Sequence, residues 1–147
     1  MTYVTNNDVQ AWLGTQAYIK LTDDSGSGTA DETKVDEARF GAEGEANSYL
    51  ATRYKVPVDV SSEPEIEAVL RSFLLDLVSY RLHSRRPPVP DDIARRRDEA
   101  VTWLSRVSSG MVQLPSALAV QENSALGIVG RAVGPDREMT RKKLKDL

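Results

Sequence analysis

One stretch of the sequence, residues 64–84, constrains the possible folds more than any other. Its apolar residues recur at three- and four-residue intervals, so in a helix they share one broad face. These residues are Ile66, Val69, Leu70, Phe73, Leu74, Leu77, Val78 and Tyr80. A helix with so wide an apolar face needs neighbours on several sides. We therefore predict that residues 64–84 form the central helix of a bundle.

Capping and helix-breaking residues set the limits of this helix and of the next one. The Ser-Glu-Pro-Glu sequence at residues 62–65 predicts a capping box with proline in the first turn. The proline-rich connector at residues 85–90 ends the helix. We expect Asp91 or Asp92 to cap a long last helix that Gly110 closes. Its predicted inner face carries Ile93, Arg97, Ala100, Val101, Trp103, Leu104 and Val107.

The N-terminal half contains further helical patterns. Residues 31–54 carry a stripe of mostly small apolar residues, and Pro57 ends the pattern. The stripe consists of Val35, Ala38, Ala42, Ala46, Tyr49 and Leu50. A short helix is predicted from Thr5 to Leu13, with Gly14 where a left-handed residue is favoured. A helical turn is indicated by Tyr18, Ile19 and Leu21.

The predicted fold class is all-α, a small antiparallel bundle of three to four helices with an extended C-terminal arm. No segment from 1 to 110 alternates apolar and polar residues for long enough to predict a strand. After Gly110 the helical periodicity stops. We therefore divide the chain into a helical bundle domain, residues 1–110, and an arm, residues 111–147. The arm lacks a core of its own, and we expect it to become ordered against another surface.

The composition excludes several kinds of functional site. The chain has no cysteine, which removes disulfides, thiolate metal sites and cysteine nucleophiles. The single histidine, His83, lies among arginines, and no serine stands in a nucleophile-elbow pattern. No catalytic residue is therefore assigned, and we do not expect an enzyme, a metal or a cofactor. No run approaches the ~18 apolar residues of a membrane span, so we expect a soluble protein without a membrane partner.

One polar loop resembles a calcium-binding loop only in part. The matching residues are Asp23, Ser25, Ser27, Gly28 and Asp31. Lys34 stands where a glutamate would bind the ion, which places a cation at an anion position. We therefore interpret residues 23–32 as a flexible loop rich in glycine and serine.

Charge is unevenly distributed along the chain. Residues 1–70 carry 13 acidic and 5 basic side chains, whereas residues 71–147 carry 9 acidic and 14 basic ones. A nucleic-acid surface, stacking on copies of opposite charge, or ordinary solvated helix faces would each account for this polarity. The main basic cluster contains Arg85, Arg86, Arg95, Arg96 and Arg97. Acidic residues flank it, so we interpret it as an internally paired face rather than a DNA-reading helix.

Two charged residues stand on or beside the predicted apolar stripes. Arg53 follows Tyr49, and Asp76 lies within the stripe of residues 64–84. We hypothesise that Arg53 and Asp76 pair across the helix interface, where an ion pair would fix the register of the helices. Charged groups well beyond hydrogen-bonding distance would refute this pairing.

The segment YLATRYKVPV, residues 49–58, gives the sequence its most specific resemblance. It follows a helix-forming stretch and precedes an acidic linker and the helix LRSFLLDLVSYRL. This order of elements resembles a family of small structural proteins of Mu-like phages and prophages, placed at the head–tail joint. The residues that carry the resemblance are Tyr49, Leu50, Arg53, Tyr54, Pro57, Leu77, Tyr80, Leu82, Trp103, Leu104, Gly110 and Leu114. It covers about residues 3–114, with a looser likeness at the C-terminus.

The resemblance implies a head–tail connector, also called an adaptor or head-completion protein. Such a protein lies in the neck of the virion, is assembled in the host cytoplasm, and forms a ring below the portal. About twelve copies would match the cyclic symmetry of a portal. The implied partners are the portal protein, neighbouring copies, the next neck or tail protein, and genomic DNA that passes through the channel without sequence-specific binding. The structural signature comprises Tyr49, Arg53, Tyr54, Pro57, Asp76, Tyr80 and Trp103.

The arm is the expected contact with the portal or with an adjacent subunit. Its candidate binding residues are Arg131, Arg137, Met139, Arg141, Leu144 and Leu147. The methionine and leucines would serve as apolar anchors, and the arginines as charge partners. The arm lacks the aromatic residue that the resemblance leads us to expect beside its arginine.

Two other functions stay open on the sequence. The basic C-terminal half supports a small helical DNA-binding or packaging accessory protein, whose binding would depend strongly on salt. A tail-terminator or stopper-type neck protein is the third possibility. Proteins of that kind tend to be β-rich, so a helical fold argues against it.

Overall fold

The computed structural model describes residues 2–115, which contain five α-helices. They are α1 (Asn6–Leu13), α2 (Thr15–Thr22), α3 (Glu32–Leu50), α4 (Pro64–Ser84) and α5 (Asp91–Ser109). No β-strand occurs between residues 2 and 115, so the predicted all-α class is confirmed. The predicted turn around residues 18–21 is part of a complete helix, α2, so residues 2–115 hold five helices where three to four were expected.

Helices α3 and α4 each pack against all four other helices, and α4, which buries more side chains than any other helix, is the centre of the bundle. Its fully buried side chains are mainly leucines, and each contributes about 1.5–3 kcal/mol by leaving water. They are Leu70, Leu74, Leu77, Val78 and Leu82. On α3, Ala42 and Ala46 are both fully buried, and α3 packs against α4 and α5. Such small side chains let neighbouring helix axes approach closely, as the alanine stripe predicts.

Several helix ends are formed by the residues that the sequence indicates. Thr5 caps α1 in a reciprocal pair with Asp8, whose carboxylate accepts a hydrogen bond from the Thr5 N–H at 2.7 Å. Asp31 caps α3 by accepting from the Thr33 N–H at 3.0 Å. Gly110 ends α5 in the left-handed conformation, with φ +81°.

Three predicted helix boundaries were wrong. The residue before α4 is Glu63, and its side chain makes no capping hydrogen bond. The capping box predicted at residues 62–65 therefore does not form. Pro64 nevertheless is the first residue of the helix, as predicted. Pro90 precedes α5, which puts Asp91 inside the first turn, where its charge favours the helix dipole. Helix α3 ends at Leu50 because residues 51–53 form turns.

The first residues of the arm lie on the bundle. Val112 packs against the core and Leu114 is buried. The Leu114 N–H donates to the hydroxyl of Tyr54 at 2.9 Å. Residues 116–147, with all six candidate binding residues of the arm, lie outside the described residues. Within residues 2–115 no helix combines the length and the apolar character needed to cross a membrane.

Candidate interaction surfaces

The signature segment at residues 49–58 joins the C-terminal ends of α3 and α5. Tyr54 is buried and holds the backbone of Leu114 through its hydroxyl group. Arg53 is exposed, and its guanidinium lies against Gly110, where an added side chain would have to displace it. The hydroxyl groups of Thr52 and Ser108 are 3.2 Å apart. The part of the sequence with the sharpest family resemblance therefore serves, in this chain, to fasten two helix ends together.

Tyr3 makes a second fastening, between the N-terminus and the same segment. Its hydroxyl accepts from the Val58 N–H at 2.7 Å and donates to Asn47 Oδ1 at 2.8 Å. Burial raises the pKa of this hydroxyl, so it keeps the proton that it donates. The Tyr3 N–H donates to Glu43 Oε1 at 3.1 Å. Glu43 is buried on α3, although a charged residue in a helical pattern usually indicates the solvent side.

The predicted pairing of Arg53 with Asp76 was wrong. No salt bridge joins them, and Arg53 lies instead at the C-terminal end of α5. Asp76 is 8% exposed, and its Oδ1 atom is buried without a hydrogen-bond partner. Its charged neighbours are Arg96 and Glu99 of α5. Burial raises the pKa of Asp76, Arg96 opposes this effect, and Glu99 reinforces it.

Aromatic contacts set the antiparallel register of α4 and α5. The rings of Phe73 and Trp103 lie 4.9 Å apart, centroid to centroid, with an angle of 32° between their planes. The Arg97 guanidinium lies 5.4 Å from the centroid of the Tyr80 ring. Both distances fall within the range of attractive aromatic and cation–π contacts. The signature residues Tyr80 and Trp103 therefore belong to the α4–α5 seam.

Arginines of the second half neutralise carboxylates of the first half. Arg81 binds Glu45 at 2.8 Å, and Arg97 reaches the other oxygen of the same carboxylate at 3.5 Å. Further pairs of this kind are Arg71 with Asp8, Arg85 with Asp24, and Arg86 with Asp24. Each partly exposed pair contributes at most about 1 kcal/mol. Of the predicted basic cluster, Arg85, Arg86 and Arg97 are paired as expected, although with Asp24 and Glu45 of the first half and not only with the flanking acids. Many of the opposite charges of the two halves therefore meet inside the fold.

In the polar loop at residues 23–32, backbone N–H groups of the loop itself donate hydrogen bonds to the Asp23 carboxylate. Asp23 accepts hydrogen bonds from the N–H groups of Gly28 at 2.7 Å, Ser27 at 3.1 Å and Ser25 at 3.2 Å. These bonds, above all that from Gly28, lower the pKa of Asp23. Among residues 2–115 no group of three histidine or acidic side chains is placed to hold a metal ion. His83 directs Nδ1 to the carbonyl oxygen of Ser79, 2.7 Å away.

An open groove of about 350 Å³ lies between α3, α4 and α5. It is lined by Glu45, Leu77, Tyr80, Arg81, Ser84 and Arg97. Arg81 lies over Gly41, where the missing side chain makes space for the guanidinium. Glu45 binds both arginines, and Asp98 contacts Arg97 as well, so the charges at this groove are largely balanced within the bundle.

The fold and its signature residues define a small protein whose described residues form a helical bundle without strands, and whose polar groups mainly hold helices to one another. The sequence matches the family model described as Bacteriophage Mu, Gp36, over residues 3–129. The chain therefore belongs to this family of phage proteins, and the resemblance read from the sequence is confirmed. A comparison with curated proteins gave no match.

Proposed function

We propose that this phage protein is a head–tail connector, an adaptor that forms a ring under the portal. In this role it extends the DNA channel and offers a docking surface to the next neck or tail protein. It acts by assembly, without catalysis, in the neck of the virion. DNA passes through the ring without sequence-specific contacts.

The match to the phage Mu Gp36 family over residues 3–129 is the observation that carries this proposal. The match spans the whole described bundle and continues into the arm. The all-helical fold also favours an adaptor over a tail terminator or stopper, because proteins of those two kinds tend to be β-rich. A ring of identical subunits needs a surface that contacts the next copy, and the exposed side chains of Phe40 and Trp12 are available for such a contact.

The DNA-binding alternative has one specific observation in its favour. Arg96 is exposed on α5 and forms no salt bridge with any residue between 2 and 115. A phosphate backbone would attract it without reading sequence. If this function were the true one, DNA affinity of the isolated protein would fall steeply with salt, with a log–log slope of several units.

Light scattering coupled to size-exclusion chromatography tests the proposal, on the protein alone and then mixed with the portal of the same phage. We expect a small species alone and a large complex of defined stoichiometry with the portal. In the arm, Arg137→Ala with Arg141→Ala should weaken the complex at least tenfold. Arg95→Ala is the matched control, since this exposed arginine lies on α5 and should leave binding unchanged. Indifference to the portal at micromolar concentration and moderate salt would refute the connector function.

A further inference from the structure

A pocket of about 140 Å³ lies between the N-terminal segment, the loop before α4 and the first turns of α4. Its walls include Tyr3, Val60, Ser61, Glu67, Leu70 and Arg71. Val60 and Leu70 are buried and Tyr3 is half-buried, so much of the wall is apolar. A cavity of about 150 Å³ in a protein accepts a molecule the size of benzene. The pocket therefore has room for one large apolar side chain.

Met111 is the most exposed large apolar side chain among residues 2–115, with 79% of its surface in water. It directly follows Gly110, the residue that ends α5. A methionine side chain is smaller than benzene, unbranched and flexible, so it fills irregular cavities. Its sulfur also makes favourable contacts with aromatic rings such as that of Tyr3. Met111 thus has the size and the chemistry that the pocket accepts.

Met111 and the pocket lie on opposite sides of the bundle. Within residues 2–115, α5 packs against α3 and α4 but not against α1 or α2. Met111 follows α5, whereas the pocket is bordered by Tyr3, just before α1, and by Arg71, which pairs with Asp8 of α1. Met111 therefore faces away from the pocket of its own chain, but a second copy can present its Met111 to that pocket.

The two features also lie at the same end of the bundle. Phe73 of α4 stacks on Trp103 of the antiparallel α5. From this stack Met111 lies eight residues further along the chain, and the pocket residues Glu67 and Leu70 lie three to six residues back. At about 1.5 Å per residue, their levels along the bundle differ by less than about 10 Å. A contact between unlike surfaces at nearly one level adds little rise from copy to copy, which allows a closed ring.

The other exposed apolar side chains do not have this placement. Phe40 is next to Gly41, which packs on Arg81 toward the far end of α4. Trp12 belongs to α1, on the same side of the bundle as the pocket. Val69 is short and only 40% exposed on α4 itself. Only Met111 combines high exposure with the opposite side and the matching level.

The charges near the two features agree with this pairing. Glu67 forms no salt bridge among residues 2–115, and Asp8 balances the charge of Arg71, so the pocket has one free carboxylate. The exposed cations Arg53, at Gly110, and Arg106, in the last turn of α5, are close to Met111 in the chain or the fold and have no salt bridge within the same residues. Carboxylates in the first turns of α3 and α5 also lack a salt bridge there, so size and position select the pairing.

We propose that Met111 of one copy inserts into the pocket of the next copy and joins the chains head to tail. The methionine packs on Tyr3, Val60 and Leu70, and the cations beside it face Glu67. This inference rests on the proposed ring of identical subunits and names the side chains of the contact between them.

Disulfide formation between two single-cysteine variants tests the contact, because the full chain has no native cysteine. Gln113→Cys places a thiol two residues after Met111, and Ser61→Cys places one at the pocket. With glutathione disulfide as oxidant, their mixture should form linked dimers at least tenfold faster than a mixture of Gln113→Cys with Thr33→Cys. Thr33 is exposed at the other end of the bundle, in the first turn of α3. The rates are measured on the concentrated full chain, without and with the portal.

A second set of variants tests the side chain itself. Met111→Glu should weaken association of the copies at least tenfold in light scattering, and Met111→Leu should preserve it. Ser109→Glu is the matched control, because it adds the same charge at an exposed position two residues earlier. Met111 is exposed in the single chain, so Met111→Glu should leave its thermal unfolding unchanged, which separates lost assembly from misfolding.

The outcomes distinguish this contact from the proposed function. A portal complex in which the mixed pair links no faster than the control would overturn the contact and leave the connector function standing. Fast linking of the mixed pair without any binding to the portal would support the contact and refute the connector function. Dimers of one variant alone that form as fast as the mixed dimers would show that like surfaces meet, and would overturn the head-to-tail contact. Neither fast linking nor a portal complex would refute both.

Discussion

Replacing Asp76 by asparagine should stabilise the bundle. Asp76 is 8% exposed, one of its oxygens is buried without a hydrogen-bond partner, and burial raises its pKa. A buried, unsatisfied polar group costs about 1–3 kcal/mol, and more when it is charged. Asparagine has the same shape and removes the charge but keeps one buried acceptor. We therefore expect a gain of about 1 kcal/mol at pH 7, or roughly 3–6 °C in Tm.

The pH dependence distinguishes this cause from a simple packing effect. In the unfolded chain Asp76 loses its proton near pH 3.8, and in the folded protein at a higher pH. Between these two values the folded state binds more protons, so the protein loses stability as the pH rises through the folded pKa. Asp76→Asn does not titrate at this position. Its advantage should be small below pH 3.8 and complete above the folded pKa.

Urea unfolding followed by circular dichroism, at several pH values from 3 to 7, measures both effects. Asp98→Asn is the control, because this aspartate is exposed and contacts Arg97 at 3.4 Å. Its replacement should change the free energy of unfolding by less than about 0.5 kcal/mol. If Asp76→Asn were no more stable than the native chain at pH 7, or if its advantage were the same at pH 3, the argument from burial would fail.

Two further predictions concern the ends of α5 and the start of the arm. Gly110→Ala should destabilise the protein by about 1–2 kcal/mol in thermal unfolding, because Gly110 has the left-handed helical conformation and the guanidinium end of the exposed Arg53 can move aside. Gly14→Ala should cost more, up to about 3 kcal/mol, because φ +83° with ψ +148° is a conformation that alanine strongly disfavours. Tyr54→Phe should lower the free energy of unfolding by about 1–2 kcal/mol, because it removes the oxygen that accepts from the buried Leu114 N–H. Hydrogen exchange at the Leu114 amide should become at least tenfold faster, and an unchanged exchange rate would contradict the hydrogen bond.

Periodicity and breaking residues were enough to predict four of the five helices among residues 2–115, whereas α2 was predicted only as a turn. The apolar pattern of residues 64–84 is wide and begins at a proline, so both its helical state and its central position follow from the sequence. Gly110 likewise marks the end of α5, because a left-handed residue is needed there. These features are local, and neighbouring side chains do not change them.

The side-chain partners could not be predicted in the same way. Sequence spacing places Arg53 and Asp76 on or beside the apolar stripes of their predicted helices, but it does not show that α3 ends at Leu50, which leaves Arg53 exposed in the turn that follows. In the structure Arg53 lies at Gly110, and Asp76 lies beside Arg96 and Glu99. Glu43 was missed for a related reason, since the backbone N–H groups that it accepts from belong to an N-terminal segment with no pattern of its own.

The contacts of the N-terminal segment set an order for folding during synthesis. Helix α1 leaves the ribosome first, yet its surroundings are made much later. Tyr3 bonds to partners 40, 44 and 55 residues further along the chain, and Asp8 bonds to Arg71, 63 residues away. The nascent chain therefore cannot secure its first helix until the first turns of α4 have emerged. The helix that is made first is thus held in place only when about half of the chain has been synthesised, shortly before α5 completes the bundle.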